Sequence, residues 1–357
     1  MHLKAKLRVK FSNSNQPANV PGDLPNDNWH LPSKSIKKAS LDSTLDVTSH
    51  NWMACLPEKL TQLPIWSLTL PGSHDSGSYA LESKDGISPD KAELRKWWMR
   101  VFGFIAYPIV KRWTITQTMN MTQQLEAGIR YFDLRAAPKP SPTNLDLYFV
   151  HGLYGPRIVD ICRDINSFLN ENPQEIVIIH IQHFISATVE QQLHLLLDIF
   201  GIFKQKVCPY NEQTKEDASL DTLWHNGHQV FLFYPGITSI TSPYLWPPQY
   251  LPNPWANTTN ANNLEQFLSD QVRRRSPDSF YVTQGVLTPT DAYVKEHLLS
   301  SLYRRLVSAC NTTMVAWLDN YEAGPRGPNI VMTDFIEWNN FEIPRKVIEM
   351  NYKMHTR

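Results

Sequence analysis

Few cysteines and no long apolar run are present, and these two absences exclude several classes of protein. The four cysteines are widely spaced and form no C-x-x-C pair, so we expect reduced, mostly buried thiols and no disulfide scaffold. No window approaches eighteen apolar residues, which excludes a transmembrane helix. The basic residues near the N-terminus precede no apolar core of signal-peptide length. The sequence therefore predicts a soluble intracellular protein, cytoplasmic, with the nucleus as an open alternative.

An excess of charge of one sign is also missing. Lysine plus arginine (34) balance aspartate plus glutamate (34), so no overall positive field would attract nucleic acid or anionic lipid. Any contact with a membrane must then be local. By contrast, 42% hydrophobic residues in a chain of 357 are ample for a sizeable core.

Short apolar runs and helix-like segments alternate after a polar beginning. Residues 1–48 are rich in Asn, Ser, Pro and Lys and are expected to form a flexible leader, whereas 49–357 form one domain. The predicted strands are 65–70, 131–134, 147–150, 176–181, 230–234, 280–284, 314–318 and 330–335. The predicted helices are 121–127, 160–170, 188–200, 261–275 and 290–310.

This alternation predicts a TIM-like (β/α)8 barrel, with a distorted or incompletely closed barrel as the variant. The run 175–182, for example, is nearly continuous and apolar, as expected of a strand buried on both faces. In such a barrel the polar residues at the C-terminal strand ends face the active site. Those residues are His74, Asp75, Asp133, Arg135, His151, Gln182, Tyr234, Gln284 and Asp334.

Three polar segments indicate acid–base chemistry on a phosphate. They are Leu-Pro-Gly-Ser-His-Asp-Ser-Gly at 70–77, Gly-Ile-Arg-Tyr-Phe-Asp-Leu-Arg at 128–135, and the His-Gly pair at 151–152. Cleavage of a phosphodiester without a metal requires a base, an acid and a cation. Histidine suits both proton roles, a carboxylate can fix each imidazole, and an arginine fork can bind two phosphate oxygens.

Structural interpretations of the same residues stay open. His74 and Asp75 together could form a turn or a metal pair, although no further ligands follow at a recognisable spacing. His151 alone could be a surface histidine. Asp133 and Arg135 share a strand face and could form a structural ion pair.

Taken together, these segments resemble the X-box of phosphatidylinositol-specific phospholipases C, and most closely the small eukaryotic PI-PLC X domain-containing proteins. The matching segments are 70–77, 124–135, 151–152, 175–184 and 331–335. The resemblance implies that His74 is the general base supported by Asp334, and that His151 is the general acid partnered by Asp75. Arg135 stands where bacterial enzymes have a phosphate-binding arginine and calcium-dependent enzymes have a calcium-ligating acid. Asp133 matches the neighbouring acidic position.

The same resemblance implies metal-independent chemistry with no cofactor, because a covalently attached guanidinium can replace the bound ion. Part of the headgroup pocket departs from the family. Gln182 lies where similar bacterial enzymes carry a lysine, and Tyr234 lies near where they carry an arginine. Gln284 and His180 are further candidates for substrate binding, with core packing as the alternative for His180.

Two segments are candidates for membrane contact. The first joins Trp97, Trp98 and Phe102 to basic neighbours and could dip into a bilayer. Its alternative is a helix packed on the barrel with snorkelling basic residues. The second is the proline- and aromatic-rich loop 243–255, with Trp246 as its candidate residue.

We therefore expect a phosphoric diester hydrolase of phospholipase C type. It would cleave phosphatidylinositol at a membrane surface to diacylglycerol and an inositol phosphate through a cyclic intermediate. One alternative is a phosphodiesterase for another phospholipid or a glycerophosphodiester. Another is a phosphoinositide-binding scaffold of low or no activity.

Overall fold

The computed structural model describes residues 8–10, 46–91, 106–141, 144–235 and 242–355. Its strands are β1 Arg8–Lys10, β2 Asp46–Thr48, β3 Leu70–Ser73, β4 Glu82–Ile87, β5 Tyr131–Pro138, β6 Leu147–His151, β7 Leu153–Arg157, β8 Val177–Phe184, β9 Val230–Phe233, β10 Val282–Gly285 and β11 Ile330–Thr333. Strands β1 and β2 pair in parallel inside the predicted leader. Most of the leader lies outside the described residues, so its flexibility stays a prediction.

The helices of the described residues surround the sheet. They are α1 Glu58–Thr61, α2 Ala106–Thr114, α3 Met121–Glu126, α4 Ile158–Glu171, α5 Val189–Phe203, α6 Glu212–Glu216, α7 Leu220–His225, α8 Ala261–Arg274, α9 Asp291–Glu296, α10 Ser308–Leu318 and α11 Trp338–His355. Several are capped as their sequences predict. Asn120 and Thr188, for example, each accept a hydrogen bond from the backbone three residues on. None of the described helices combines the length and apolar character needed to cross a bilayer.

Six parallel strands in the order β10-β11-β3-β5-β8-β9 form the barrel wall. Thr333 pairs with Ser73, Ser73 with Phe132, and Phe132 with Ile179, so β11 and β3 end at one rim that lies level with a point part-way along β5 and β8. No ladder joins β9 to β10 within the described residues. The prediction of a TIM-like barrel is confirmed in its distorted, incompletely closed form.

A segment of the loop 242–256 fills the gap between β9 and β10. Trp246 forms a bridge with Phe233, and the backbone N–H of Val282 donates to the Pro252 carbonyl at 2.9 Å. The indole N–H of Trp246 donates to the Cys208 carbonyl at 3.0 Å, and its side chain is 2% exposed. Trp246 therefore fills the gap between β9 and β10, and the prediction that it contacts a membrane is wrong.

Strand β6 departs from the predicted parallel order. It pairs antiparallel with the end of β5 and with β7, and β7 pairs antiparallel with β4. The run 147–150 is therefore a strand, but it belongs to a sheet extension on the rim of the barrel. This extension carries His151 at the end of β6.

Three predicted elements differ in the structure. The run 314–318 is the end of helix α10, whose buried residues Cys310, Met314 and Trp317 recur at helical spacing; a short apolar run does not distinguish strand from helix. The predicted helix 290–310 is divided into α9, a π-helical turn at Tyr303–Val307 and the start of α10. The first predicted strand begins only at Leu70, after a 3-10 turn at Ile65–Ser67.

A buried ion pair seals the end of the barrel away from the rim. Arg130 precedes β5 and Glu175 precedes β8, and their closest atoms, Nη2 and Oε2, lie 2.7 Å apart. The other guanidinium N–H groups donate to the carbonyls of Leu125, Ile129 and His50, while the backbone of Met53 donates to Glu175. Both charges are thus fully hydrogen-bonded, as burial requires.

We predict that Arg130→Met destabilises the protein by ~3–5 kcal/mol, because it leaves the Glu175 carboxylate buried without its cation. The matched control is Arg163→Met. The ion pair of Arg163 with Asp160 is exposed, so its loss should lower the stability by ~1 kcal/mol or less. Chemical denaturation measures both. Equal losses for the two variants would contradict this role of the buried pair.

Candidate active site

The octapeptide 70–77 is a strand followed by a turn at the rim of the barrel. Asp75 adopts a left-handed backbone conformation with φ of 43°, which aspartate tolerates better than most residues. The turn is fixed to β5 because the Ser76 backbone N–H donates to the Asp133 carbonyl at 2.9 Å. A Cβ on Gly77 would lie 2.5 Å from Cγ of Phe149. Glycine there lets the turn pack directly on β6.

His74 is held at both ring nitrogens by carboxylates. Its Nδ1 lies 2.6 Å from Oδ1 of Asp334, and its Nε2 lies 3.2 Å from Oδ2 of Asp75. Burial alone would lower the pKa of His74, but the negative charges of Asp75, Asp334 and Asp133 outweigh it and raise the pKa to about 9. The imidazole of His74 is therefore protonated at both ring nitrogens and positively charged at neutral pH in the free protein.

Asp75 is the shared partner of both histidines and the arginine. Its side chain has no exposed surface. Its Oδ2 lies 3.2 Å from Nε2 of His74 and 3.4 Å from Nε2 of His151, and its Oδ1 lies 3.1 Å from Nε of Arg135. The two imidazole centroids are 6.3 Å apart. The structure thus brings together the residues that the sequence predicted from three separate segments.

His151 is oriented by backbone contacts at the end of β6. Its Nδ1 lies 2.7 Å from the Thr114 carbonyl, so this nitrogen carries a hydrogen and Nε2 faces Asp75. Gly152 has φ of +73°, a conformation that suits glycine, and its N–H donates to Asp90 at 2.8 Å. Burial lowers the pKa of His151, the charge of Asp75 raises it, and that of Arg135 lowers it again; the net direction is downward.

Arg135 and Asp133 project from β5 toward the same turn. The ion pair of Arg135 is with Asp75, so a simple structural pair between Asp133 and Arg135 does not describe the site. Asp133 accepts a hydrogen bond from the Asp75 backbone N–H at 3.2 Å. Burial and the charge of Asp75 raise the pKa of Asp133. The 24% exposed side chain of Arg135 is a cation at the rim, open to solvent.

A metal ion could find three ligands here. One atom each of His74, Asp75 and Asp133 lies within 4.8 Å of the others. Calcium prefers six to eight oxygen ligands, and this set supplies two carboxylates and one nitrogen. Arg135 also neutralises Asp75 directly. The donor set therefore fits an arginine-assisted site better than a calcium site, and metal independence stays a prediction.

Three of the four residues predicted to bind substrate lie at or near the barrel mouth, and the fourth, Tyr234, faces the surrounding helices. His180 points into the barrel, where its Nδ1 lies 2.9 Å from the Tyr131 hydroxyl and burial lowers its pKa to about 3. Gln284 is buried and donates to the Asn253 carbonyl at 2.5 Å. Gln182 is half-buried at the register shift of β8 between Ile181 and His183. These three lie at or near the barrel mouth, and their role in binding stays a prediction.

Tyr234 does not lie in the pocket. Side chains alternate along β9, so Phe233 faces the barrel interior while Tyr234 faces the surrounding helices. Its ring packs on Phe184 with centroids 4.7 Å apart, and its hydroxyl donates to the Gln192 carbonyl. The prediction that Tyr234 binds substrate is therefore wrong. Trp97, Trp98 and Phe102 lie outside the described residues.

Three contributors to the site were not found from the sequence. Asp90 binds the Gly152 backbone, Thr114 offers its carbonyl to His151, and Gln117 donates to the carbonyls of His74 and Thr333. Asp90 lies in the turn Pro89–Lys91, Thr114 ends α2, and Gln117 lies between α2 and α3, so none of them is at a predicted strand end. A backbone carbonyl leaves no sequence signal, and neither of the other two belongs to a recognisable spacing.

Proteins of similar sequence and structure are known. The chain is 37% identical over 306 residues to human PI-PLC X domain-containing protein 3, covering 85% of this chain and 93% of that protein. It is 35% identical over 313 residues to mouse PI-PLC X domain-containing protein 2, covering 87% and 90%. It is 32% identical over 308 residues to mouse PI-PLC X domain-containing protein 1, covering 85% and 87%. No family model matches the chain.

Solved structures of bacterial enzymes share the fold. The phosphatidylinositol-specific phospholipase C from Listeria monocytogenes superposes with a TM-score of 0.58 at 20% identity, covering 85% of this chain and 99% of that one. The phosphatidylinositol-specific phospholipase C from Staphylococcus aureus gives a TM-score of 0.59 at 17% identity, covering 85% and 98%. At these identities the likeness shows the fold alone.

We predict that His74 titrates near pH 9 and that Asp334→Asn lowers its midpoint by at least ~1 pH unit, because the imidazolium loses a charged hydrogen-bond partner. NMR of the histidine Cε1–Hε1 groups measures this, with the His74 signal assigned from a His74→Gln sample. The control is Asp278→Asn, which removes the same charge from an exposed position before β10. A wild-type midpoint below 7 would contradict the assignment of the proton to His74.

Proposed function

The chain belongs to the family of PI-PLC X domain-containing proteins, and from this premise we propose that it is a phosphoric diester hydrolase of phospholipase C type. Its substrate is phosphatidylinositol, and its products are diacylglycerol and an inositol phosphate. The observation that carries the proposal is the convergence of two histidines and an arginine on the buried Asp75. It supplies a base, an acid and a cation at one rim of the barrel.

The first step is an internal transfer at phosphorus. Nε2 of His74 takes the proton of the inositol 2-hydroxyl, and that oxygen bonds to phosphorus. The bond from phosphorus to the diacylglycerol oxygen breaks, and Nε2 of His151 gives its proton to the leaving oxygen. The ring centroids, 6.3 Å apart, allow the base and the acid to flank one phosphorus atom. Arg135 stabilises the charge that develops on the phosphate oxygens.

The first step requires His74 to be neutral, with Nε2 free, and His151 to be protonated at Nε2. The free protein has the opposite distribution. Because the pKa of His74 is raised and that of His151 is lowered, His74 is the protonated histidine of the pair and His151 is neutral. A bound phosphodiester brings a negative charge beside His151, which raises the pKa of that imidazole. Oδ2 of Asp75 contacts both Nε2 atoms. Substrate binding therefore favours the proton on His151, and the two imidazoles lie on either side of the same carboxylate oxygen.

The second step hydrolyses the cyclic inositol phosphate by the reverse sequence of proton transfers. A water molecule enters the place of the diacylglycerol oxygen and gives a proton to His151, and its oxygen bonds to phosphorus. His74 returns a proton to the inositol 2-oxygen as the cyclic ester opens. After both steps His74 and His151 hold the protons with which they began, so the cycle is balanced.

The substrate requires the protein to work at a membrane surface. We infer peripheral contact from the cytoplasmic side, since a bilayer presents the phosphodiester at its headgroup layer. Trp97, Trp98 and Phe102 remain the residues proposed for that contact, and Trp246 is withdrawn because it is buried.

We predict that His74→Ala and His151→Ala each lower the release of inositol phosphate from phosphatidylinositol liposomes by ~10²–10⁴-fold. The matched control is His225→Ala, an exposed histidine at the end of α7, which should leave turnover unchanged. Normal turnover by either active-site variant would overturn the mechanism. Liposome binding by the wild type without release of product would favour a binding or scaffold protein instead.

We predict that a calcium chelator changes the turnover of the wild type by less than about twofold, because Arg135 supplies the positive charge at the phosphate. Arg135→Gln should lose ~10²-fold or more, the cost of removing one preorganised group that stabilises transition-state charge. Both rates are measured on the same liposomes, with and without added calcium. A loss in chelator that calcium restores would refute metal independence.

A further inference from the structure

A mostly apolar groove leads away from the two histidines. Its inner end is formed by His74, His151 and Asp334. Helix α2 forms one side with Val110 and Trp113. The other side is formed by residues after β10, in α9 and before the π-helical turn, namely Leu287, Pro289, Val294 and Leu302. The groove is thus continuous with the catalytic site, and its apolar walls play no part in the chemistry described above.

We propose that this groove binds the glycerol backbone and the first acyl carbons of the phospholipid. The proposal rests on the proposed function, because it assigns the leaving group of that reaction to a place in the fold. The observation behind it is that the groove begins at His151, the residue that protonates the leaving oxygen. Whatever is attached to that oxygen must extend from His151, and the groove is the apolar space that begins there.

The chemistry of the walls fits the lipid half of the substrate better than the inositol half. Val110, Trp113, Leu287 and Leu302 are each at most 6% exposed and present hydrocarbon and aromatic surface. An inositol ring would leave its hydroxyl groups without partners against such walls, at a cost in free energy. Acyl chains instead gain from each methylene removed from water.

Apart from the catalytic residues at its inner end, the charged residues of the groove lie at its outer end. Asp291 and Lys295 line the groove and are exposed, as expected where a lipid leaves the protein for the headgroup layer. At Trp113, moreover, the buried indole N–H has no hydrogen-bond partner among the described residues. An ester carbonyl of the lipid is an acceptor of the kind that this donor lacks.

The test compares a substrate that has acyl chains with one that has none. Val294 is half-buried on the groove wall, so Val294→Asp places a charge in the groove with little risk to the core. We expect cleavage of phosphatidylinositol in mixed micelles to fall at least ~tenfold relative to hydrolysis of soluble inositol cyclic phosphate. Val294→Trp, which fills the groove without adding charge, should change the same ratio in the same direction.

The matched control is Leu197→Asp, which puts the same charge on an exposed apolar residue of α5 and should leave the ratio unchanged. Equal effects of both Val294 variants on the two substrates, or no effect on either, would overturn the inference.

A binding experiment separates this inference from the proposed function. Calorimetry with His74→Ala compares dihexanoyl-phosphatidylinositol below its micelle concentration with glycerophosphoinositol, which lacks the acyl chains. We expect the acylated ligand to bind at least ~tenfold more tightly, and Val294→Asp to abolish the difference. Acyl-dependent binding by His74→Ala, together with a wild type that releases no product, would refute the enzyme but keep the groove. Turnover with no acyl-dependent affinity would refute the groove but keep the enzyme.

Discussion

The buried carboxylate of Asp75 is the constraint on which the site depends. A carboxylate with no exposed surface is costly unless positive charge and hydrogen-bond donors surround it. Here His74, His151 and Arg135 approach its two oxygens at 3.2, 3.4 and 3.1 Å. Because these residues come from the turn after β3, from within β5 and from the end of β6, compensating one buried charge brings three separate segments of the chain together. The same contacts leave the two Nε2 atoms facing a common point.

The distortion of the barrel positions the second histidine. In a regular parallel barrel each strand end projects from the rim at its own place around the circle. Strand β6 instead pairs antiparallel with the end of β5 and turns at Gly152 into β7. This hairpin brings His151 back over Asp75, and Asp90 and the Thr114 carbonyl hold it there. An irregularity in the fold is thus what allows two histidines from separate strands to share one carboxylate.

Most of the site was predictable from the sequence because strand ends are marked by a change from apolar to polar residues. His74, Asp75 and Asp334 follow β3 and β11 directly and meet at the rim for this reason. Asp133 and Arg135 reach the same rim from within β5, because β5 continues past it to pair with β6. The prediction for Tyr234 was wrong because neighbouring residues of a strand face opposite sides of the sheet. In so short a run, no pattern shows which residues face the pocket.

Errors in the wider fold have similar causes. Trp246 lies in a loop rich in proline and aromatic residues, which composition cannot distinguish from an exposed surface loop. The loop packs against the end of β9 because, within the described residues, no ladder joins β9 to β10 and a gap is left between them. All five residues of the run 314–318 are apolar although only one face of helix α10 is buried, so the helical periodicity appears only when Cys310, Met314 and Trp317 are compared. The sequence therefore predicted the positions of polar residues after apolar runs better than it predicted which strands pair.

The carboxylates that build the site also oppose the first step of the reaction proposed for it. Three negative charges around His74 favour its protonated form, and a protonated imidazole cannot accept the inositol proton. A site with fewer carboxylates would hold a free base more readily, but it would leave His74 without its orienting partner Asp334 and Arg135 without Asp75. The arrangement becomes productive only if the substrate supplies what the free protein lacks, namely negative charge next to His151. In the reaction that we propose, the phosphodiester brings this charge itself, so the required distribution of protons arises when substrate is bound and does not need to exist beforehand.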